Sequence, residues 1–220
     1  MTGEGIIWVR KLLSKSKNCM SEFTREEKQK KLAQIAQRIA SCEVCTELCK
    51  NCINPVPGEG DPEADIMLVG EAPGAQEDRE GRPFVGASGK FLVEMLENVG
   101  LKREDVFITS ILKYRPPNNR DPKPDEIQAS LPYLLEQIEV IDPKLVIFLG
   151  RHAMNVFFPE LKISQAHGVA VSRTYTHAGA ARKQMFLPLY HPAAALYNGS
   201  MRTTLLEDFS QIPQLLKKIS

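Results

Sequence analysis

Four of the chain's five cysteines fall in one short stretch, Cys42, Cys45, Cys49 and Cys52, spaced C-x2-C-x3-C-x2-C. Thiols packed this closely can hold a metal, run thiol–disulfide exchange or close a staple. The four-fold spacing favours a metal, because a thioredoxin-like C-x-x-C would follow a strand and none precedes this one. Three other segments carry reactive residue types. GEAPGAQEDREGRPFVG (70–86) holds Gly70, Gly74, Gly81 and Gly86 among the acids Glu71, Glu77 and Asp78. It lacks the G-x-x-x-x-G-K-[ST] order of a phosphate loop. What lifts it above a solvated loop is Phe84, an aromatic platform able to stack on a planar ligand. KYRPPNNRDP (113–122) offers Lys113, Arg115 and Arg120 with Asn118 and Asn119, a set that reads as a solvated loop or as contacts to a phosphodiester backbone. YHPAAALYNGS (190–200) places His191 directly after an apolar run and before Pro192. A histidine in a Pro-containing turn at a strand end is suited to catalysis, and His152, His167 and His177 lack that setting.

These segments need a scaffold, and the pattern around them supplies one. IMLVG (66–70), VFITSIL (106–112) and KLVIFLG (144–150) are short apolar runs of the kind that form buried parallel strands. Helices are predicted over 88–99, stopping at Gly100, over 124–141, with Pro124 in the first turn, over 151–158 and over 201–218. Residues 168–175 and 184–190 read as further strands around the polar THAGAARK. Strands alternating with helices give an α/β layered fold with a mostly parallel sheet. Ligands of such sheets sit beyond the carboxyl ends of the strands, where all three reactive loops begin. Ahead of this pattern, TREE (24–27) is a capping box opening a helix whose apolar face is Leu32, Ile35, Ala36 and Ile39. Residues 1–23 read as a basic arm, and 24–220 as a single domain.

The formal net charge is +1, so any nucleic-acid partner must be met by a local basic patch rather than by whole-chain charge. No apolar run approaches membrane-spanning length. The N-terminal GIIWVRKLL is broken by Arg10 and Lys11 and is no signal-peptide core. The chain therefore reads as a cytoplasmic protein, expected to be monomeric and free of membranes.

Taken together, GEAPGAQEDREGRPFVG, FITSILKYRPPNNRDPKPDE, KLVIFLG and YHPAAAL resemble the type-4 uracil-DNA glycosylases, the iron–sulfur branch of that superfamily, across roughly residues 33–218. The resemblance implies a three-layer α/β/α sandwich around a central, mostly parallel four-stranded sheet. It implies a DNA-repair hydrolase that flips uracil from single- or double-stranded DNA and cleaves its N-glycosidic bond, leaving an abasic site. Phe84 would stack on the base. Gly70, Ala72 and Gly74 would bring backbone close to it, with Glu71 beside the attacking water. His191 would donate a hydrogen bond to the departing oxygen, Glu77 and Asp78 would shape the pocket, and Leu196 would fill the gap left in the duplex. Arg115 and Arg120 would contact DNA.

Two departures from the family pattern stand out. Ser110 replaces an asparagine that pairs with the uracil edge, and a hydroxyl cannot form the bidentate amide pair. Tyr114 and Ser130 stand where the family has its second pair of cluster cysteines. Cys42 and Cys45 match the first pair; either Cys49 and Cys52 stand in locally for the second, or the cluster is gone and these thiols are leftovers. A 4Fe–4S cluster is expected on these four, with zinc or no metal as alternatives and Cys19 as a spare ligand. The alternative to an active glycosylase is a non-catalytic or altered-specificity nucleic-acid-binding member of the fold.

Overall fold

The computed structural model describes residues 23–41, 46–177 and 180–219. Helix α1 (Arg25–Ala40) opens on the expected capping box: Thr24 Oγ1 accepts from Glu27 N, and Glu27 accepts from Thr24 N at 2.8 Å. A short helix α2 (Thr46–Cys49) follows, then the two-residue strand β1 (Glu59–Gly60) and β2 (Ile66–Gly70). Next come α3 (Ala75–Glu80), α4 (Ala87–Asn98), β3 (Phe107–Ser110), α5 (Pro124–Ile141), β4 (Leu145–Leu149), α6 (Arg151–Phe157) and α7 (Ile163–Ala166). The chain closes with β5 (Val171–His177), β6 (Ala180–Leu189), α8 (Ala194–Tyr197), α9 (Gly199–Ser210) and α10 (Ile212–Ile219).

The strand order is β1-β3-β2-β4-β6-β5. The expected four-stranded parallel sheet is present as β3-β2-β4-β6. The sheet as a whole has six strands, because β1 and β5 add antiparallel edges to β3 and β6. The first edge was invisible in sequence because Glu59–Gly60 is too short to show a period. Along β2 and β4 successive side chains point to opposite faces. Ile66, Leu68, Leu145 and Ile147 pack with Phe91, Leu92, Leu205 and Phe209 of α4 and α9. Met67, Val69, Val146 and Phe148 pack with Leu131, Leu134 and Met154 of α5 and α6. Both faces are covered, which is the three-layer arrangement and explains why these strands read as unbroken apolar runs.

A third, smaller cluster joins α1 to α5 through Ile35, Ile39, Leu48, Tyr114 and Tyr133. Two sequence expectations need adjusting. The loop over 71–87 contains the one-and-a-half-turn helix α3, and the final helix over 201–218 is two helices broken at Gln211. Among the described residues no helix is long and apolar enough to cross a membrane. The predicted arm, residues 1–23, lies outside the described residues but for Phe23.

Candidate active site

The parallel register puts Gly70, at the end of β2, beside Ser110, at the end of β3. A Cβ on Gly70 would lie 2.7 Å from Cε2 and Cζ of Phe84 and 3.2 Å from Ser110 Oγ. Glycine at this place lets the Phe84 ring lie against the sheet end. Phe84 itself sits at φ 50°, in the left-handed region that a bulky residue rarely occupies. Its backbone is fixed from three sides. Arg103 donates to the Phe84 carbonyl at 3.0 Å and also to the Pro83 carbonyl. Glu59 in turn holds Arg103 through Nε at 3.0 Å and Nη2 at 2.7 Å. Gly89, in the first turn of α4, lies so close that any Cβ there would meet the Phe84 carbonyl oxygen at 1.9 Å. A platform with this much surrounding constraint is the form in which backbone strain persists at functional sites.

His191 arrives from the end of β6. Its ring stacks on that of Phe84, with centroids 5.6 Å apart and planes 27° from parallel. The ring's Nδ1 accepts from Ala193 N at 3.1 Å, which leaves Nε2 to carry the proton and act as donor. Burial lowers the His191 pKa to about 4, the nearby Glu77 carboxylate opposing the shift. The imidazole is therefore neutral at physiological pH, and it presents one N–H. Gly150, at φ 99°, ends β4 beneath it, and a Cβ there would press on His191 Cβ at 3.2 Å.

The acidic residues of the 70–86 loop divide into different tasks. Glu77 Oε1 accepts from Val85 N and Gly86 N, both at 2.9 Å, and Oε2 accepts from Gly74 N at 3.1 Å. It ties the two ends of the loop together. Asp78 is buried, and its Oδ1 accepts from Ile53 N at 2.8 Å and Asn54 N at 3.3 Å. Its carboxylate is thus committed to the turn that follows the cysteine stretch. Glu71 is half-buried at the mouth, with its side chain 29% exposed. Burial raises its pKa above the usual carboxylate range, and Asp121 adds to the shift while His152 and Arg151 oppose it. His152 Nε2 lies 4.0 Å from Glu71 and 3.4 Å from Asp121. The ligand atoms of Glu71, Asp121 and His152 all lie within 4.8 Å of one another, close enough to hold a cation, although exposed acidic groups commonly stand so without one.

The structure thus brings Gly70, Phe84, Ser110 and His191 together at the carboxyl ends of the parallel strands. It sets Glu71 at the rim, and Glu77 beneath as a brace. Ala72 packs towards the α1–α5 cluster. Leu196 and Tyr197 project from α8, 46% and 90% exposed, five and six residues beyond His191. Arg115 donates to Asn119 Oδ1 at 2.8 Å, and Arg120 is paired with Glu126, itself a cap of α5. Cys42 and Cys45 lie outside the described residues. Cys49 is disulfide-bonded, its partner outside the described residues, and Cys52 is a free thiol donating to Cys49 O at 3.3 Å. Burial, with Asp78 adding, raises the Cys52 pKa. Sequence reasoning missed Arg103, Gly150 and His152. The last two had a signal, since they follow the third apolar run at a strand's carboxyl end. Arg103 had none, because it acts through its reach across 20 residues to a backbone carbonyl.

The family model of the uracil DNA glycosylase superfamily matches residues 57–216. A type-4 uracil-DNA glycosylase of Sulfurisphaera tokodaii is 47% identical over 190 residues, covering 84% of this chain and 84% of that protein. One from Saccharolobus solfataricus is 47% identical over 184 residues, covering 83% and 85%. One from Thermotoga maritima is 38% identical over 198 residues, covering 89% and 98%. With the stacked Phe84–His191 pair at the ends of the parallel strands, these matches place the chain in the uracil-DNA glycosylase superfamily, as a member of its type-4 family.

Proposed function

We propose that this chain excises uracil from DNA by hydrolysing the N-glycosidic bond, acting as a DNA-repair glycosylase on single- or double-stranded substrate. The observation that carries the reading is the neutral His191, its Nδ1 satisfied and its Nε2–H remaining, stacked with Phe84 over a glycine floor. A flipped uracil stacks on Phe84. As the C1′–N1 bond breaks, its electron pair moves into the pyrimidine, and the charge grows on a ring oxygen. His191 Nε2–H donates to that oxygen without giving up its proton. A preorganised donor of this kind is worth about 2.7–4 kcal/mol of barrier. Glu71, ionised, faces the positive sugar and accepts a proton from the water whose oxygen bonds to C1′. That proton passes on to solvent, and uracil leaves as an anion that solvent protonates. Leu196 fills the vacated position in a duplex, offsetting part of the few kcal/mol that flipping costs. Arg115 contacts the backbone.

The test is base release from uracil-containing single- and double-stranded oligonucleotides. Wild type releases uracil, and His191→Ala slows release by about 10²–10³-fold. No release by wild type overturns the reading, and an unchanged His191→Ala rate overturns the role of that histidine. The second reading, altered base preference, draws on Ser110, whose single hydroxyl at the pocket floor can pair with one edge atom rather than two. Ser110→Asn is expected to sharpen selection of uracil over other bases, and an unchanged selectivity argues that Ser110 does not read the base.

We further propose that in the reduced chain, with the Cys49 disulfide opened to thiols, Cys42, Cys45, Cys49 and Cys52 hold a 4Fe–4S cluster. Cys49 and Cys52 are three residues apart, and both pack on the apolar cluster around Tyr114, the shielded setting that thiolate ligands favour. Tyr114, at the family's ligand position, fills the interior instead and donates its hydroxyl to Ile39 O. The ligand set is therefore local to the 42–52 stretch. Such a cluster crosslinks that stretch and supplies no step of the hydrolysis. Iron and sulfide in anaerobically purified protein, with a brown visible spectrum, are expected, whereas zinc or colourless metal-free protein overturns the assignment. We place the protein in the cytoplasm, a reducing compartment that would keep Cys49 available as a thiolate, as a monomer whose single domain spans 24–220.

A further inference from the structure

Lys113 is almost wholly buried, at 1% exposed. Its Nζ donates to Thr109 Oγ1 at 2.6 Å, to Ser110 O at 2.8 Å and to Gln137 Oε1 at 2.8 Å. All three partners are neutral, and each is held as an acceptor. Gln137 Nε2 donates to Pro57 O at 2.7 Å, which fixes the amide with its oxygen towards Lys113. Thr109 Oγ1 has acceptors for its own proton in Pro57 O at 3.0 Å and Gln137 Oε1 at 3.2 Å. A carbonyl has no proton to offer. The ammonium form has one donor for each of the three oxygens around it, whereas the neutral amine has two.

The elements packed around the group are β3, α5 and the 54–58 segment. They present Thr109, Ser110, Gln137 and Pro57, none of them titratable, and no carboxylate acts on the amine. Burial alone lowers its pKa, to about 7. A buried charge without a counter-ion is costly, and an apolar side chain of the same length would fill the space more cheaply.

The place of this charge is specific. Thr109 and Ser110 point to opposite faces of β3. Lys113 sits on the Thr109 face and grips the carbonyl of Ser110, whose hydroxyl lies on the pocket face beside Gly70 and Phe84. The same strand end is locked to β2, since Ile111 N donates to Gly70 O at 2.9 Å and Leu112 N to Glu71 O at 3.0 Å. An uncompensated cation therefore lies directly behind the floor on which negative charge develops.

We propose that Lys113 is a positioning residue for base release: its buried ammonium, acting through the Ser110 end of β3, stabilises the uracil anion as it departs. The proposal rests on the reading of the reaction above. A fixed charge in a low-dielectric site helps only where charge grows, and it needs no contact with the base.

The test separates charge from scaffolding by changing the leaving group. 5-Fluorouracil is a more acidic base, so its departure depends less on help for the anion. Lys113→Met is compared with wild type by single-turnover release of uracil and of 5-fluorouracil from single-stranded DNA, with DNA affinity measured alongside. The variant is expected to lose on the order of tenfold on uracil and several-fold less on 5-fluorouracil, with affinity unchanged. Equal losses on the two bases, or none, overturn the proposal. Wild-type release of either base secures the reaction independently of the variant, and no wild-type release refutes both readings. Should Lys113→Met fail to fold, the wild-type pH profile decides. Uracil release falls as pH rises through about 7, where the ammonium loses its proton. A rate that stays flat from about pH 6 to about pH 8.5 overturns the role.

Discussion

Replacing Gly70 by alanine tests whether the pocket is built by close packing of its floor against Phe84. The new Cβ would stand 2.7 Å from two ring carbons of Phe84. Comfortable carbon contacts lie at about 3.5–4.0 Å, so the overlap is about 1 Å. Something must move by that distance, and the ring has little freedom. Arg103 grips the carbonyls of Pro83 and Phe84, and Gly89 of α4 backs on the same peptide. Ser110 Oγ, 3.2 Å from the new atom on the other side, closes the remaining escape. Overpacking of this kind costs about 1–3 kcal/mol of stability, which leaves a protein of this size folded. A displacement of about 1 Å at the reacting centre costs about 10²-fold in rate. The expected outcome of Gly70→Ala is therefore a folded protein, melting a few degrees lower, whose single-turnover release of uracil is slower by about 10²-fold. Thermal unfolding and release from a single-stranded oligonucleotide measure the two parts separately. A variant within about threefold of the wild-type rate would refute the platform, because the packed ring would then not be what holds the base.

The remaining predictions address charge, cohesion and the wedge. Activity is expected to rise with pH along an acid limb set by Glu71. Burial raises its folded pKa, so the carboxylate ionises only above the ordinary range, and Glu71→Gln should abolish both the limb and most of the rate. His191 adds no limb above about pH 4, where it is already neutral. Asp78→Ala leaves Ile53 N and Asn54 N without their acceptor and is expected to cost on the order of 2 kcal/mol in denaturant unfolding. A change below about 0.5 kcal/mol would show that water replaces the carboxylate. Leu196→Ala should slow release from duplex DNA several-fold more than from single strands, since only a duplex must be held open; equal effects on the two substrates would remove Leu196 from the wedge role.

The layered sheet was legible because it rests on local pattern. Continuous apolar runs without polar alternation can be satisfied only by burial on both faces, and IMLVG and KLVIFLG carry that pattern. His191 and Phe84 were legible for a related reason: each is a chemically odd residue at a strand end or in a charged loop. What stayed hidden depends on reach. Glu59 and Arg103 are ordinary surface residues in sequence, and become a brace only because β1 and the turn before β3 bring them beneath Phe84. Asp78 reads as one more loop acid beside Glu77. Its destination, 24 and 25 residues upstream, is fixed by the way the 52–54 turn folds back. Lys113 looked like a phosphate contact from its neighbours Arg115 and Arg120. Its burial could not be read from a loop of that composition.

Asp78 also gives the cysteine stretch a reason to matter for a reaction in which it takes no part. The stretch ends at Cys52, and Ile53 and Asn54 hang from the Asp78 carboxylate, while Asn54 Nδ2 returns to the carbonyls of Asp78 and Arg79 at 3.0 Å each. Helix α3 is thus bolted to the turn after Cys52 on one side. On the other, Glu77, the neighbouring residue, holds Val85 and Gly86 and so the chain that directly follows Phe84. Disorder at Cys52 would pass through two adjacent carboxylates to the stacking ring. In this chain Tyr114 replaces a cysteine of the family pattern, and the hydroxyl still anchors the same region by bonding to Ile39 O across to α1. On the proposed ligand set the position can change, because what the loop carrying Phe84 rests on is the turn after Cys52, and the Asp78 carboxylate anchors that turn.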